Sequence, residues 1–251
     1  MERITIPNSK GQNIAAVIHH PEKRSGQLAI LCPGYLDTKD YKHLVGHAEA
    51  LCSLGYTVVR FDPTGTWESE GDISDYTTSQ YLADVKSVLE HMLYDGEYEH
   101  ILLGGHSRGG QVSLLYAAKD PRISTVLAIM PASRPVTGER RRVWEEAGVS
   151  VGTRELPDDP ATSREFRVPF AHVLDRDQYD TYEEAKKIKA HTIYIVGELD
   201  VLSPPEDVQK VFDCTNEPKQ FIVATGIDHE YRHRPKEIEE ISRLIVKAAA
   251  L

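Results

Sequence analysis

Short apolar segments alternate with longer segments of helical periodicity along most of this 251-residue chain. The candidate strands are RITI, IAAVIHH, LAILCP, TVVRFD, HILLGG, STVLAIMP, TIYIVG and QFIVAT. The later ones are short, β-branched and continuously apolar, as strands covered on both faces of a sheet are. Between them, apolar residues recur at helical spacing over 41–55 and 78–96, and again over 235–251. This alternation predicts an α/β fold with a mostly parallel eight-stranded sheet and helices on both faces.

The alternation breaks after the sixth strand candidate, over residues 132–190. No clear strand is evident there, and prolines and charged residues are frequent. Because a structureless loop of this length is uncommon in a compact domain, we predict a small inserted cap within a single domain that spans residues 1–251. Its basic run, GERRRVWEE, is interleaved with acids and is typical of a solvated face, so no binding residue is assigned to it.

Composition and charge narrow the function classes. The formal net charge of −10 would repel a phosphate backbone, which argues against nucleic acid as a partner. No segment approaches roughly 18 uninterrupted apolar residues, and the N-terminus lacks a basic start followed by a long apolar run. We therefore expect a cytoplasmic protein without membrane contact. The three cysteines are widely spaced and form no CxxC pair, which argues against a disulfide framework or a zinc ribbon.

One serine lies where a predicted strand becomes a predicted helix. The segment Gly105-His106-Ser107-Arg108-Gly109 matches the pattern G-x-S-x-G, with HILLGG before it and a helical pattern after it. At such a turn the serine is held in a strained backbone conformation, and the residues two before and two after it must be small because neighbouring backbone passes close. The alternative is a tight glycine turn with a bystander serine, and the flanking strand and helix favour a nucleophile instead.

A serine nucleophile needs a base, and the base needs a carboxylate that fixes its tautomer. Asp200 follows the strand candidate TIYIVG, and His229 follows QFIVAT. With Ser107, they lie at the carboxyl ends of predicted strands, where open α/β sheets bind ligands. The chain order Ser, Asp, His fits a catalytic triad. Glu198 and Asp228 are weaker candidates for the acid, because the first lies too close to the strand end and the second adjoins His229.

Acyl transfer also needs N–H donors for the oxyanion that forms. One is expected from the backbone N–H of Arg108, at the start of the helix after the serine, where the helix dipole adds partial positive charge. The other is expected from Tyr35, because Gly34 would let the loop PGYLDTKDY turn its backbone inward. An ordinary Pro-Gly turn is equally compatible with this loop.

Three histidines and two aspartates are expected to have structural and not chemical roles. His106 precedes the nucleophile and is expected to be a core histidine with satisfied hydrogen bonds, pointing away from the substrate. His43 and His47 stand four residues apart but lack the glutamate of an HExxH motif, so no metal is predicted. Asp62 and Asp84 are expected to cap or brace the turn and the helix that follow TVVRFD.

Six segments together resemble the α/β-hydrolase superfamily, and within it the small capped carboxylesterases that include the cinnamoyl and feruloyl esterases. They are CPGYLDTKDY, VVRFDPTGTWESEGD, LLGGHSRGG, MPAS, IVGELDVLSPP and GIDHEY, and the resemblance covers nearly the whole chain. It implies the α/β-hydrolase fold, with Ser107 as nucleophile, Asp200 as acid and His229 as base. It also implies the N–H groups of Tyr35 and Arg108 as oxyanion donors.

Two departures from the family pattern bear on the substrate. Pro33-Gly34 stands where His-Gly is common, and GTWES replaces a Gly-His-Gly-x-Ser run, so that Trp67 could line or narrow the acyl pocket. The resemblance implies a serine esterase that cleaves a small-molecule ester through an acyl-enzyme, with small or aromatic acyl groups and no metal or organic cofactor. A thioesterase, an amidase, a carbon–carbon hydrolase and a non-catalytic ligand-binding protein stay open as alternatives, as does a homodimer.

Overall fold

The computed structural model describes residues 1–23 and 25–250. The strands are β1 (Glu2–Pro7), β2 (Asn13–His19), β3 (Gln27–Cys32), β4 (Tyr56–Phe61), β5 (His100–His106), β6 (Thr125–Ile129), β7 (Val149–Glu155), β8 (Ser163–Pro169), β9 (His191–Gly197) and β10 (Lys219–Ala224). The main sheet has the strand order β1-β2-β4-β3-β5-β6-β9-β10. In it, β2 runs antiparallel to β1 and β4, and all other neighbours are parallel. The predicted mostly parallel eight-stranded sheet is confirmed.

The helices lie largely where the apolar periodicity predicts them. They are α1 (Lys42–Ser53), α2 (Thr78–Asp95), α3 (Arg108–Ala117), α4 (Gly138–Ala147), α5 (Ala171–Arg176), α6 (Thr181–Ala185), α7 (Pro205–Cys214) and α8 (Pro235–Ala249), with a short 3₁₀ helix at Ile73–Asp75. Proline opens α8 at a position where its missing N–H removes no helical hydrogen bond. Leu251, which the prediction included in this helix, lies outside the described residues. Of the helices in the described ranges, none has both the length and the apolar character needed to cross a bilayer.

Helices cover both faces of the main sheet because successive side chains of a strand point to opposite sides. In β3, Leu28, Ile30 and Cys32 join one buried cluster, whereas Ala29 and Leu31 join another. The first cluster includes apolar residues of α2, α3 and α7, and the second includes those of α1 and α8. Since both faces are buried, the central strands are continuously apolar in the sequence.

Two buried carboxylates brace the turns near the end of β4. Asp62 accepts hydrogen bonds from Thr38 Oγ1 (2.9 Å) and from the Nζ and backbone N of Lys39 (2.8 Å each). Asp84 accepts hydrogen bonds from the backbone N and Oγ1 of Thr64 (2.8 Å each). Burial raises the pKa of Asp84 to about 6. The predicted bracing role of both residues is confirmed.

Residues 132–190, which the sequence predicts to be an inserted cap and which are called the insertion below after that prediction, contain α4, β7, β8, α5 and α6. The expectation that this region contains no clear strand is wrong, because β7 and β8 pair as an antiparallel hairpin. In β8 the buried residues are Phe166 and Val168, and exposed charged residues stand before and between them. A strand that buries only one face lacks the continuous apolar run by which the other strands were recognised.

Candidate active site

Ser107 occupies the turn between β5 and α3, with backbone angles φ 54° and ψ −116°. This region is strained for a residue with a side chain. A Cβ atom at Gly105 would lie 2.2 Å from the carbonyl oxygen of Cys32, and one at Gly109 would lie 2.0 Å from the same oxygen. Both positions therefore require glycine, for the reason that the G-x-S-x-G pattern predicted. The turn holds Ser107 at the carboxyl end of β5.

Ser107, His229 and Asp200 form one hydrogen-bonded chain. His229 Nε2 lies 2.9 Å from Ser107 Oγ, and His229 Nδ1 lies 2.7 Å from Asp200 Oδ2. Both Asp200 and His229 are buried. The other carboxylate oxygen, Asp200 Oδ1, accepts hydrogen bonds from the backbone N–H groups of Leu202 and Ser203 (2.8 Å each). These bonds fix the carboxylate so that Oδ2 faces the imidazole, in surroundings that strengthen each hydrogen bond.

The other two acidic candidates are engaged elsewhere. Glu198 accepts a hydrogen bond from a backbone N–H in the loop after β10 (2.8 Å). Asp228 pairs with Arg234 and accepts a hydrogen bond from the backbone N–H two residues later. In the described ranges neither carboxylate forms a hydrogen bond with His229, so Asp200 is the acid that the geometry favours.

The backbone amides of Tyr35 and Arg108 are available to a ligand. Tyr35 lies in the loop after β3, and Arg108 begins α3; both line the same cavity as Ser107. In the described part of the chain neither N–H donates a hydrogen bond to the protein. The next amide in the loop, that of Leu36, is occupied because it donates to the hydroxyl of Tyr76 (3.0 Å). The arrangement therefore offers two free donors beside the serine.

The hairpin of β7 and β8 holds the loop that carries Tyr35. Arg154 donates from Nη2 to the carbonyl oxygen of Tyr35 (2.7 Å) and from Nε to Asp37 Oδ1 (3.1 Å). The hydroxyl of Tyr35 lies 2.8 Å from Ser150 Oγ. Sequence reasoning missed these contacts because it missed the hairpin. No local pattern distinguishes Arg154 from the other arginines of the insertion.

Trp67 does not line the cavity that contains Ser107, so the expectation that it lines or narrows the acyl pocket is wrong. Its Nε1 donates a hydrogen bond to the carbonyl oxygen of Leu36 (2.8 Å), and its ring packs edge-on against Phe166 of β8. A half-buried indole N–H needs an acceptor, and the loop after β3 supplies one. Trp67 therefore braces this loop instead of shaping the pocket.

His106 is a buried histidine, as predicted, but its hydrogen bonds are not satisfied. Neither of its ring nitrogens has a partner in the described ranges, and the same is true of His43. The ring of His106 lies 4.6 Å from that of His229 between centroids, and it lines the cavity. Burial lowers the pKa of both His106 and His43 well below the usual value, so both rings are neutral near pH 7.

Three buried residues, Asp37, His43 and His106, place one potential metal-ligating atom each within 4.8 Å of one another. The carboxylate of Asp37 also lies 3.1 Å from Arg154 Nε and 3.7 Å from Arg232 Nη1. These guanidinium groups already balance its negative charge and would oppose a bound cation. We assign no metal-binding role to the cluster.

A cavity of about 510 Å³ opens onto Ser107. Its walls come from the loops after β3, β9 and β10 and from the insertion. The charged residues in its lining are mostly arginines: Arg108, Arg134, Arg140, Arg154, Arg176 and Arg232, against Asp37 and Glu230. The site therefore combines a serine–histidine–aspartate arrangement with an excess of positive charge.

The amino-acid sequence of this chain is similar to those of several known proteins. Residues 24–145 match the family model described as Serine aminopeptidase, S33. The mitochondrial palmitoyl-protein thioesterase ABHD10 of Mus musculus is 24% identical over 220 residues, which cover 86% of this chain and 72% of that protein. Polyketide transferase grgF of a Penicillium species is 24% identical over 245 residues, which cover 83% of each protein.

Solved structures match nearly the whole chain. Est1E from Butyrivibrio proteoclasticus, solved with bound ferulic acid, has a TM-score of 0.78 and 19% identity, covering 98% of this chain and 97% of that one. The α/β hydrolase GrgF from Penicillium sp. sh18 has a TM-score of 0.80 and 19% identity, covering 98% of each chain. At these identities the likeness establishes a shared fold.

Proposed function

Because this chain is an α/β-hydrolase by fold, as its sequence predicted, we propose that it is a serine hydrolase that cleaves carboxylic esters through an acyl-enzyme. The observation that carries the proposal is the hydrogen-bonded chain from Ser107 through His229 to Asp200. Beside it lie two backbone amides that donate to no acceptor within residues 1–23 and 25–250, as an oxyanion site requires.

Acylation begins at Ser107. With its own proton on Nδ1, held by Asp200, His229 accepts the serine hydroxyl proton at Nε2 while Oγ attacks the ester carbonyl carbon. The carbonyl oxygen becomes an oxyanion and accepts hydrogen bonds from the N–H groups of Tyr35 and Arg108. The bond from carbon to the alcohol oxygen then breaks, and the alcohol leaves with the proton from His229 Nε2.

Deacylation repeats these steps with water. His229 takes one proton from a water molecule as its oxygen attacks the acyl carbon of the ester on Ser107. The same two N–H groups stabilise the second oxyanion. When the bond to Oγ breaks, Ser107 recovers its proton from His229, and the carboxylic acid leaves.

Thioesters are a second candidate substrate class. The same attack and oxyanion serve an ester or a thioester, and the leaving atom is the only difference in the chemistry. One relative is named a palmitoyl-protein thioesterase, and one structural neighbour was solved with ferulic acid. A substrate panel of aryl esters from acetyl to feruloyl, each with its matched thioester, separates these classes.

Labelling with a fluorophosphonate probe tests the proposed nucleophile. We expect one probe per chain, attached to Ser107 by peptide mapping, together with turnover of part of the panel. Ser107→Ala should lose labelling and lower kcat by roughly 10⁴-fold or more. Ser113→Ala is the matched control, because this buried serine on α3 donates to the carbonyl oxygen of Gly109 and does not contact His229.

Two results would overturn the proposal. One is full turnover by folded Ser107→Ala, with folding checked by circular dichroism. The other is well-folded wild-type protein that neither reacts with the probe nor turns over any ester or thioester. The second result would favour the ligand-binding alternative, in which ligands stabilise the fold without being cleaved.

A further inference from the structure

Most arginines of the cavity wall are neutralised by acidic residues or lie exposed. Arg154 and Arg232 share the carboxylate of Asp37. Arg134 pairs with Asp207, and Arg140 is exposed on α4. The remaining pair, Arg108 and Arg176, is called the arginine pair below. In the described ranges neither member lies within 4.0 Å of a carboxylate oxygen.

Arg108 is buried, and two nitrogens of its side chain lack hydrogen-bond partners in the described ranges. The residue is 4% exposed, and its Nε and Nη2 have no hydrogen-bond partner in the described ranges. The guanidinium carbon lies 4.3 Å from the ring centroid of Tyr76 and 5.5 Å from that of Tyr35. These rings hold the guanidinium plane, but they accept no conventional hydrogen bonds at its N–H edges. A buried charge left in this state is unfavourable until a ligand supplies acceptors.

Arg176 adds a second positive charge to the same cavity. Its Nη2 donates to the backbone oxygens of Ala132 (3.4 Å) and Arg134 (2.9 Å), which fixes the side chain without neutralising it. Burial, reinforced by the charge of Arg108, lowers the pKa of Arg176 to about 10, so it stays charged near pH 7. Burial also lowers the pKa of the neighbouring His172 to about 4, so this ring is neutral.

We propose that the arginine pair binds an anionic group of the substrate, so that the protein prefers esters or thioesters that also carry a carboxylate or a phosphate. This inference rests on the proposed hydrolysis at Ser107. Arg108 follows Ser107 in the chain and both line one cavity, so a single molecule can reach the serine and the arginine pair. The planar N–H fork of a guanidinium suits a carboxylate or a phosphate, and one bound anion would balance two repelling charges.

Matched substrates test the preference and distinguish the two kinds of anion. The carboxylate arm compares two kinds of aryl ester of equal length. In one, the acyl chain ends in a free carboxylate; in the other, it ends in a primary amide. The phosphate arm compares acetyl-coenzyme A with S-acetyl-N-acetylcysteamine, which lacks the phosphates. In the arm that carries the anion this site binds, we expect kcat/KM to be about 10- to 100-fold higher for the anionic substrate than for its neutral counterpart.

Variants of Arg176 show whether the arginine pair causes that preference. Arg176→Gln should bring the ratio of anionic to neutral kcat/KM close to one, mainly by raising KM for the anionic member. Arg176→Lys should restore part of the ratio because it restores the charge. Arg142→Gln is the matched control: Arg142 lies exposed on α4 beside Glu139 and outside the cavity lining, so the ratio should stay at the wild-type value.

Failure of this inference is distinguishable from failure of the proposed function. If wild-type protein labels at Ser107 and cleaves neutral esters but shows a ratio near one in both arms, the anion site is overturned and the hydrolase stands. If wild-type protein neither labels at Ser107 nor cleaves any ester or thioester, the hydrolase is overturned, and thermal stabilisation by glutarate and by inorganic phosphate tests the anion site alone. Stabilisation that Arg176→Gln abolishes supports the site; its absence in wild-type protein overturns it.

Discussion

In the proposed mechanism, Asp200 acts on the reaction through His229. Its Oδ2 accepts from Nδ1–H and thereby leaves Nε2 free to receive the proton of Ser107. In Asp200→Asn the amide can present an N–H to Nδ1 and favour the wrong tautomer of the imidazole. We expect kcat on an activated aryl ester to fall roughly 10³- to 10⁴-fold, measured by steady-state kinetics.

The control for this prediction is Asp228→Asn. Asp228 adjoins His229 in sequence but pairs with Arg234, so removing its charge should change kcat by no more than about two-fold. Comparable losses in both variants would contradict the assignment of Asp200. They would indicate that negative charge near His229, and not one hydrogen bond, supports the reaction.

Sequence reasoning could place the predicted catalytic residues but not the direction of every side chain. The three predicted catalytic residues, Ser107, Asp200 and His229, each follow a strand that can be recognised in the sequence as an apolar run. The carboxyl ends of such strands converge at one edge of a parallel sheet. The structure brings these three side chains into hydrogen-bonding distance, while their catalytic roles remain predictions. Trp67 was misjudged because its hydrogen-bond acceptor, Leu36, comes from a distant segment. His106 was misjudged because the rings packed around it, such as that of His229, also come from distant segments and leave its nitrogens without partners in the described ranges.

At the scale of elements, the β7–β8 hairpin holds, through Arg154, the loop after β3 that carries Tyr35. This loop is called the oxyanion loop below, after the role proposed for the Tyr35 amide. Arg154→Met removes its hydrogen bonds to the carbonyl oxygen of Tyr35 and to Asp37. A freed loop would hold the Tyr35 amide less precisely, and loss of geometry at a reacting centre lowers the rate. We expect kcat on neutral aryl esters to fall about 10-fold with KM nearly unchanged.

Arg164 provides a control on the same hairpin. It stands opposite Arg154 in the strand register and donates to the carbonyl oxygen of Trp67 from an exposed position. Arg164→Met should therefore keep kcat within about two-fold of wild type, since exposed polar contacts contribute little. Equal kcat values for the two variants, measured on the same ester, would show that the hairpin does not position the oxyanion loop.

Helix α1 carries two buried histidines that should respond differently to substitution. His47 has partners at both nitrogens, Ser242 Oγ and Tyr231 Oη (2.9 Å each), whereas His43 has none in the described ranges. His47→Phe should lower the free energy of unfolding by about 1–3 kcal/mol because it leaves the buried Tyr231 hydroxyl unpaired. His43→Phe, among aromatic neighbours, should change it by less than about 1 kcal/mol.

Urea unfolding of both variants near pH 7.5 measures this difference. Equal destabilisation would contradict the argument, because it would mean that ring volume and not hydrogen bonding decides the outcome at these positions. The two residues look alike in sequence, four apart on one helix. They differ in the partners that distant segments supply to His47: Ser242 of α8 and Tyr231 of the segment between β10 and α8.

For the whole molecule, the sequence predicted the number of strands in the main sheet but not their order. Alternating apolar segments imply crossovers and a parallel sheet, whereas the order β1-β2-β4-β3-β5-β6-β9-β10 depends on which edges meet in space. The β7–β8 hairpin was not predicted from the sequence for a related reason. Its two strands pair with each other outside the main sheet; β8 alternates buried with exposed residues, and β7 buries only Ser150.

The folded chain also holds several histidines in the neutral form. Burial lowers the pKa of His47 to about 3 and, with the nearby Arg60, that of His19 to about 4. Burial likewise lowers the pKa of His43 and of His106 well below the usual value. In the unfolded chain each of these groups takes up a proton below about pH 6.5. The unfolded state therefore binds more protons than the folded state between about pH 6.5 and about pH 4.

This difference predicts a protein that loses stability as the pH falls from about 6.5 to about 4, by up to about 1.4 kcal/mol per pH unit for each such histidine. Asp84 opposes the trend, because its raised pKa lets the folded state take up one proton near pH 6, before the unfolded state does. With His172, whose pKa is also lowered to about 4, these histidines number five and outweigh the two buried carboxyl groups whose pKa is raised, Asp62 and Asp84, so the net effect is a loss. Urea midpoints between about pH 7.5 and about pH 4.5 measure it. In His43→Phe the unfolded state takes up one proton fewer over this pH range, so the free energy of unfolding should depend less steeply on pH. An unchanged pH dependence in that variant would show that His43 already carries its proton in the folded state.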